Sequence, residues 1–157
     1  TSIMTASNAT LGGTNYDINK FDAKIKDLNL SNVHVLGHKP YDQMPYYMKA
    51  ADILLLPNSK QFKISRLYTS PMKLFEYMAS NTPIVASDLP SIREILNEQN
   101  SILVDTDDKN IFSENIKKLI NNVALANSLA EQAKKDVQKY SWQARVKNIL
   151  NFINNVS

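Results

Sequence analysis

The sequence contains no cysteine and only two histidines among its 157 residues. Without cysteine, neither disulfide bonds nor cysteine-ligated metal sites can form, which is consistent with a cytosolic protein. The histidines, His34 and His38, lie on a segment predicted to be a strand that runs into a turn at Gly37. Along a strand they would be about 13 Å apart at roughly 3.3 Å per residue, too far to share a metal ion. The sequence therefore predicts no metal site and no metal cofactor.

Long apolar runs are also missing. No stretch approaches the roughly 20 residues of a membrane span, and residues 1–10 lack the basic and apolar regions of a secretory signal. That opening segment is polar and without pattern. We therefore expect residues 1–10 to be foreign to the domain or disordered, and residues 11–157 to form a single domain.

Strongly clustered charge is absent. The 18 basic and 15 acidic residues give a net charge of +3, and the longest basic runs are pairs on the polar faces of predicted helices. Nucleic-acid binders concentrate basic charge on one face, so we expect no nucleic-acid partner. A mild attraction to anionic lipid, and hence a peripheral position at the inner face of a membrane, stays open.

Short apolar runs alternate with stretches of helical period from Ser31 onward. Because strands that alternate with helices form βαβ units, the pattern predicts an α/β fold: a Rossmann-like, doubly wound parallel sheet with helices on both faces. After Asp105 three successive helical registers predict C-terminal helices. Ligands of such sheets bind beyond the carboxyl ends of the strands. The predicted strands are 32–36, 53–56, 83–86 and 101–104.

The segment from Tyr68 to Leu96 carries the most information about chemistry. Ser70 followed by Pro71 is a strong helix start, and the unpaired N–H groups of a helix N-terminus bind phosphate. Lys73, in the first turn, is placed to pair with a diphosphate or to remain solvated.

Glu76 lies further along the same predicted helix. A carboxylate at this position can accept hydrogen bonds from two adjacent hydroxyls, as a ribose presents them. The alternative from position alone is a surface glutamate that contacts residues one turn away.

The stretch SPMKLFEYMASNTPIVASDLPSIREIL resembles the signature region of the group-one family of retaining glycosyltransferases. The similarity continues in the segments 32–37, 51–58 and 140–145, so that matches span roughly residues 12–153. Enzymes of this family have a GT-B fold, in which two Rossmann-like domains face each other across a cleft. The resemblance implies that this chain is the C-terminal domain, which holds the nucleotide sugar.

The family signature contains two glutamates eight residues apart. The second aligns with Glu76, which the resemblance identifies as the residue that binds the ribose hydroxyls. The first aligns with Tyr68, a departure from the family pattern, because the family's leading glutamate contacts the donor sugar and a tyrosine cannot do the same.

The resemblance implies the other donor contacts as well. Backbone N–H groups of Ser70, Met72 and Lys73 match the positions that bind the diphosphate in the family. The base would lie against the loop after the strand that ends at Gly37, which makes Gly37 and His38 candidates.

By the same resemblance, the full enzyme is a metal-independent hexosyltransferase that transfers a sugar to a hydroxyl with retained configuration. It would act in the cytoplasm, in the synthesis of surface polysaccharide or lipopolysaccharide. The acceptor-binding N-terminal domain is not in this sequence, so we assign no catalytic residue and expect the chain alone to be inactive. The helix from Trp142 would cross toward that domain, leaving its apolar residues beyond Ile149 partly exposed here.

Two alternatives stay open at this point. A degenerate glycosyltransferase domain could serve as a non-catalytic assembly partner, for which Tyr68 is the best support. A stand-alone nucleotide-binding module is compatible with the overall pattern but leaves the segment 68–96 unexplained.

Overall fold

Strands and helices alternate through most of the chain in the computed structural model, which describes residues 2–4, 9–11, 15–58, 72–105 and 108–156. Two short 3-10 segments, Tyr41–Gln43 and Val137–Tyr140, lead into and out of longer helices. The strands are β1 Ser2–Met4, β2 Ala9–Leu11, β3 Val33–Val35, β4 Ile53–Leu56, β5 Ile84–Ser87 and β6 Ile102–Val104. The helices are α1 Asn15–Asp27, α2 Met44–Lys49, α3 Met72–Ala79, α4 Pro90–Arg93, α5 Lys109–Asn121, α6 Val123–Asp136 and α7 Trp142–Val156.

The strands form one six-stranded sheet in the order β3-β2-β1-β4-β5-β6. Strands β4, β5 and β6 are parallel, and so are β2 and β3, but β1 is antiparallel to both of its neighbours. The α/β class is confirmed, whereas the expectation of an all-parallel sheet is wrong at β1. Only residues 5–8 separate β1 from β2, and a parallel connection needs a dozen residues or more.

Two of the six strands, β1 and β2, include residues of the segment 1–10, which the sequence predicts to be foreign to the domain or disordered. Ser2 pairs with Leu55 and Met4 with Ile53, so β1 covers the edge of β4 that β5 leaves open. The backbone groups of an exposed strand edge favour pairing with any extended segment. Pairing of this kind uses main-chain atoms and requires no apolar side chains. The polar composition of the segment therefore gives no indication of it.

Helices cover both faces of the strands β4 to β6. Leu54 and Leu56 point to one face, where they pack with α2, α3 and the residues around α4; Ile53 points to the other, where it packs with α5 and the first half of α6. The side chains of β5 alternate in the same way, and all four of its residues are buried. The doubly wound arrangement that the sequence predicted is therefore confirmed in this half of the sheet.

Helix α3 buries one stripe of side chains and ends at a left-handed residue. Leu74, Tyr77 and Met78 are buried, at the spacing of three and four residues that one helix face requires. The sequence pattern predicts an apolar stripe of Leu74, Phe75, Met78 and Ala79, but Ala79 is exposed and Tyr77 is buried in its place. Asn81 has φ 62°, a conformation that asparagine tolerates better than most residues and that stops a helix.

Helix α7 presents an apolar face that is half-exposed or more. Leu150 and Ile153 are each 53% exposed and Phe152 is 70% exposed, so the predicted exposure beyond Ile149 is confirmed. Ser141 caps the helix by accepting a hydrogen bond from the backbone N–H of Ala144 at 3.2 Å. Over the described part of the chain, no helix is both long enough and apolar enough to span a membrane.

A buried amide joins the start of β6 to the end of α6. Asn100, 1% exposed, donates from Nδ2 to Asp136 Oδ2 at 3.0 Å, and Lys139 Nζ donates to Asp136 Oδ1 at 2.9 Å. These two donors, Lys139 first, lower the pKa of Asp136 below its ordinary value. The carboxylate therefore stabilises the fold in its charged form.

Replacing Asp136 by alanine should lower the free energy of unfolding by about 1–2 kcal/mol at pH 7, the usual worth of a hydrogen bond to a charged group. Because the folded pKa is depressed, the contribution is complete above about pH 4 and is lost as pH falls through the folded value. Urea unfolding of both proteins between pH 7 and pH 2 measures the difference, and Asp22→Ala in α1 is the exposed control. A difference that stays constant down to pH 2 would contradict this account.

Candidate functional site

A cavity of about 870 Å³ lies between α2 and α3, within the size range of small-molecule sites. The residues that begin or precede β4 and β5 form its floor, at the amino edge of the sheet. This is the edge opposite to the carboxyl ends of the strands, where the sequence predicts the ligand. Residues at the end of α5 and the start of α6, among them Leu119 and Val123, complete the lining. We call this cavity the α2–α3 groove.

The two walls of the groove are stripes of helical spacing. One runs along the 3-10 segment and α2, at intervals of three and four residues, through Tyr41, Met44, Pro45 and Met48. The other runs along α3 through Glu76, Ala79 and Ser80. The first wall is apolar apart from Tyr41 and the charged residue Lys49, and the second carries a carboxylate and a hydroxyl.

One buried hydrogen bond sets these walls side by side. Thr82, just after α3, donates from Oγ1 to the backbone carbonyl of Met48, near the end of α2, at 3.0 Å. Tyr41 lies on the α2 wall of the groove and Glu76 on the α3 wall.

The predicted ribose ligand, Glu76, is half-buried in the wall of the groove. Within the described ranges, no side chain forms a hydrogen bond or ion pair with its carboxylate. Lys73 precedes it by three residues and is exposed, as is Met72 at the first position of α3. Residues three and four apart share a helix face, so Lys73, Glu76 and Ser80 form one polar stripe. The start of α3 therefore lies at the Lys73 end of this stripe, and the groove lies at the end with Glu76 and Ser80.

The remaining predicted donor contacts are not gathered at the groove. Ser70 and Tyr68 lie outside the described residues. Gly37 has φ 66°, which glycine adopts without strain, and it turns the chain at the end of β3, followed by exposed His38. Strand β3 is three places from β4 in the sheet, about 14 Å at roughly 4.8 Å per strand. Neither residue is part of the groove lining, and their role at the base stays a prediction.

A buried serine fixes the exit of β4 at the carboxyl edge. Ser87, fully buried at the end of β5, accepts from the backbone N–H of Asn58 at 2.6 Å and donates to the carbonyl of Leu56 at 3.2 Å. The sequence reasoning assigned this residue no role. The sequence feature that could have indicated this role is the position of Ser87, a polar residue at the end of an otherwise apolar strand.

The loop after β5 is held by an ion cluster that the sequence reasoning also missed. Arg93 donates from Nε and Nη2 to the two carboxylate oxygens of Asp88, and from Nη1 to Glu98 Oε1 at 2.9 Å. The two carboxylates raise the pKa of Arg93. In turn, the backbone N–H of Glu98 and the guanidinium lower the pKa of Glu98. Arg93 is therefore engaged within this loop.

No group of three or more histidine, cysteine, aspartate and glutamate side chains that could hold a metal ion occurs among the described residues. His34 lies in β3 and His38 beyond its end, in agreement with the strand placement predicted for them.

Residues 7–122 match the protein family described as glycosyl transferases group 1. The match extends over about three quarters of the sequence and includes β2 to β6 and α1 to α5. The chain belongs to the group 1 glycosyltransferases. It corresponds to the C-terminal domain of these enzymes, as the resemblance of the segment 68–96 implied.

A glycosyltransferase of Methanocaldococcus jannaschii is 30% identical over 122 residues, which are 77% of this chain and 33% of that protein. The chain thus spans about a third of the length of this curated relative.

Two solved structures share the fold of this group 1 glycosyltransferase domain. Sucrose-phosphate synthase from Thermosynechococcus elongatus superposes with a TM-score of 0.74 at 20% identity, over 94% of this chain and 39% of that chain. The Anabaena protein HepE, in complex with UDP, superposes with a TM-score of 0.73 at 17% identity, over 97% of this chain and 42% of that chain. These likenesses establish the fold: one Rossmann-like half of a GT-B glycosyltransferase.

Proposed function

We propose that this chain binds the nucleoside diphosphate sugar donor of a retaining, metal-independent hexosyltransferase. The observation that carries the proposal is the position of Glu76. In a member of the group 1 family, the residue that matches the family's ribose ligand lies half-buried in the wall of a groove of ligand size.

The polar stripe of α3 supplies groups for two parts of such a donor. Its first turn offers backbone N–H groups and the positive end of the helix dipole, next to the ammonium group of Lys73, and these favour a diphosphate. One turn further, the Glu76 carboxylate can accept from the two ribose hydroxyls. A nucleoside diphosphate presents both features in this order along its length.

Uridine is the first nucleoside to test. The HepE structure, similar in fold, was solved in complex with UDP. The groove lining itself combines one tyrosine and several apolar side chains with the charged residues Lys49, Asp52 and Lys134, and we infer no base preference from it.

The same groups explain how the domain would assist transfer. Negative charge develops on the diphosphate as the sugar departs, and a fixed helix end with a nearby ammonium group stabilises that charge electrostatically. The configuration of the sugar is retained when the acceptor attacks from the face that the diphosphate leaves. This attack depends on the positioning of the acceptor more than on a protein nucleophile. Neither step requires a metal ion.

We further propose that an N-terminal domain supplies the acceptor site. The chain matches 39% and 42% of the two similar structures, which leaves room in a full enzyme for a second domain. The apolar face of α7 would pack against it, because exposed apolar patches of this kind mark interaction sites. The full enzyme would act in the cytoplasm, peripheral to the membrane, in surface polysaccharide or lipopolysaccharide synthesis.

Replacing Glu76 by glutamine should weaken UDP binding about 10-fold or more, because hydrogen bonds to a charged acceptor contribute about 1.5–3 kcal/mol. Calorimetric titration with UDP, GDP and ADP measures the loss. Glu114→Gln, which removes an exposed carboxylate from α5, is the matched control and should bind as the unchanged protein does. Equal affinity of Glu76→Gln and the unchanged protein would refute the ribose contact. Failure of the unchanged protein to bind any nucleotide would favour the non-catalytic assembly partner for which Tyr68 is the support.

The chain by itself should neither transfer nor hydrolyse the sugar of radiolabelled UDP-glucose, since the acceptor and part of the catalytic contacts would come from the N-terminal domain. Product formation is followed by chromatography at a protein concentration above the measured Kd for UDP. Detectable sugar release by the pure chain would contradict this prediction.

A further inference from the structure

Two aromatic rings join the helix that carries Glu76 to the segment that leads into α7. The rings of Phe75 and Tyr140 lie with their centroids 5.1 Å apart and their planes tilted by 53°, which is a favourable aromatic geometry. Phe75 directly precedes Glu76 in α3, and Tyr140 is the last residue of the 3-10 segment Val137–Tyr140. Tyr140 also begins the stretch 140–145 that resembles the family, and the proposed function gives it no role.

Glu76 has no side-chain partner that holds its carboxylate in place. Within the described ranges, no side chain forms a hydrogen bond or ion pair with that carboxylate, so its direction depends on how α3 is placed. The helix has only eight residues, and a helix this short depends on packing against its neighbours. Whatever fixes the rotation of α3 therefore also directs the carboxylate.

Phe75 packs on a side of α3 that differs from the buried stripe. It is half-buried, and it packs at the margin of the core cluster together with Val137. Adjacent residues of a helix point about 100° apart, so Phe75 and Glu76 face different neighbours. A rotation of α3 that separates Phe75 from Tyr140 would turn Glu76 by the same angle.

The backbone around Tyr140 is fixed on both sides. Before it, Lys139 Nζ donates to Asp136 Oδ1 at 2.9 Å. After it, the backbone N–H of Ser141 donates to the carbonyl of Gln138 at 3.3 Å. Tyr140 is 46% exposed, so burial in the core does not account for the position of its ring. The ring therefore offers α3 a fixed surface at the edge of the core.

We propose that Tyr140 is a positioning residue: through its ring contact with Phe75 it fixes the rotation of α3 that directs the Glu76 carboxylate toward the ribose of the donor. This inference rests on the proposed function and extends it, because it adds a residue outside the groove lining to the same site. It assigns Tyr140 no contact with the donor. An effect of Tyr140 on binding is therefore expected only where the Glu76 carboxylate takes part.

The chain offers two controls for this assignment. Tyr140→Phe keeps the ring and removes only the hydroxyl, so it should bind UDP as the unchanged protein does. Phe112, in α5, is half-buried as Phe75 is, but it packs in the cluster on the other face of the sheet. Phe112→Ala therefore removes a comparable ring without changing the support of α3.

The test measures UDP affinity by calorimetry for Tyr140→Ala, Phe75→Ala and the two controls, each first shown to be folded by its thermal unfolding midpoint. We expect Tyr140→Ala and Phe75→Ala to bind UDP about 3- to 10-fold more weakly, as the loss of an aromatic pair allows, and both controls to bind normally. A further variant combines Tyr140→Ala with Glu76→Gln. Because Tyr140 acts through the carboxylate, this double variant should bind UDP no more weakly than Glu76→Gln alone. Phe75→Ala replaces Tyr140→Ala in this comparison if the latter does not fold.

Each other outcome overturns the inference in a recognisable way. If Tyr140→Ala and Phe75→Ala bind UDP normally while Glu76→Gln does not, the ring pair only stabilises the fold, and the proposed function stands. If Phe112→Ala loses as much affinity, the loss reflects general stability. If Tyr140→Ala weakens UDP binding equally with and without Glu76→Gln, it acts on another part of the site. If the unchanged protein does not bind UDP, the proposed function itself fails.

Discussion

The hydrogen bond from the buried hydroxyl of Thr82 to the carbonyl of Met48 is the constraint on which the groove depends. It joins residues 34 positions apart in the chain and holds the ends of two crossover helices at one level. A buried hydroxyl without a partner is costly, so the bond favours a single placement of α2 against α3. Packing of Met48 with Leu74 and Met78 in one core cluster supports the same placement.

Much of the fold follows from local sequence, and the exceptions have identifiable causes. The run Ile53–Leu56, closed by Pro57, is a strand with the predicted bounds, because a short apolar run before a proline leaves few alternatives. Strand β1 escaped prediction because its pairing with β4 uses backbone groups and requires no apolar pattern. The pairing of Arg93 with Asp88 and Glu98 was not predicted, because charged residues five positions apart in the sequence meet here only through the turn that brings them together.

The site was predictable only in part, for a related reason. A motif can indicate that Glu76 is a binding residue, since its surroundings in the sequence match those of a family. It does not reveal which neighbouring surface lies opposite. The helical spacing of Met44, Tyr47, Met48 and Ala51 predicts a helix here, but it does not show that Tyr41 and Pro45 also line the groove. These residues face an open space whose existence depends on where α3 lies, which is a property of tertiary packing.

A crystal structure of the chain with UDP bound tests the central claim most directly. We expect the ribose hydroxyls to lie about 3 Å from the carboxylate oxygens of Glu76, at hydrogen-bonding distance, with the diphosphate toward the start of α3. UDP bound outside the α2–α3 groove, or within it but with the ribose turned away from Glu76, would contradict the account.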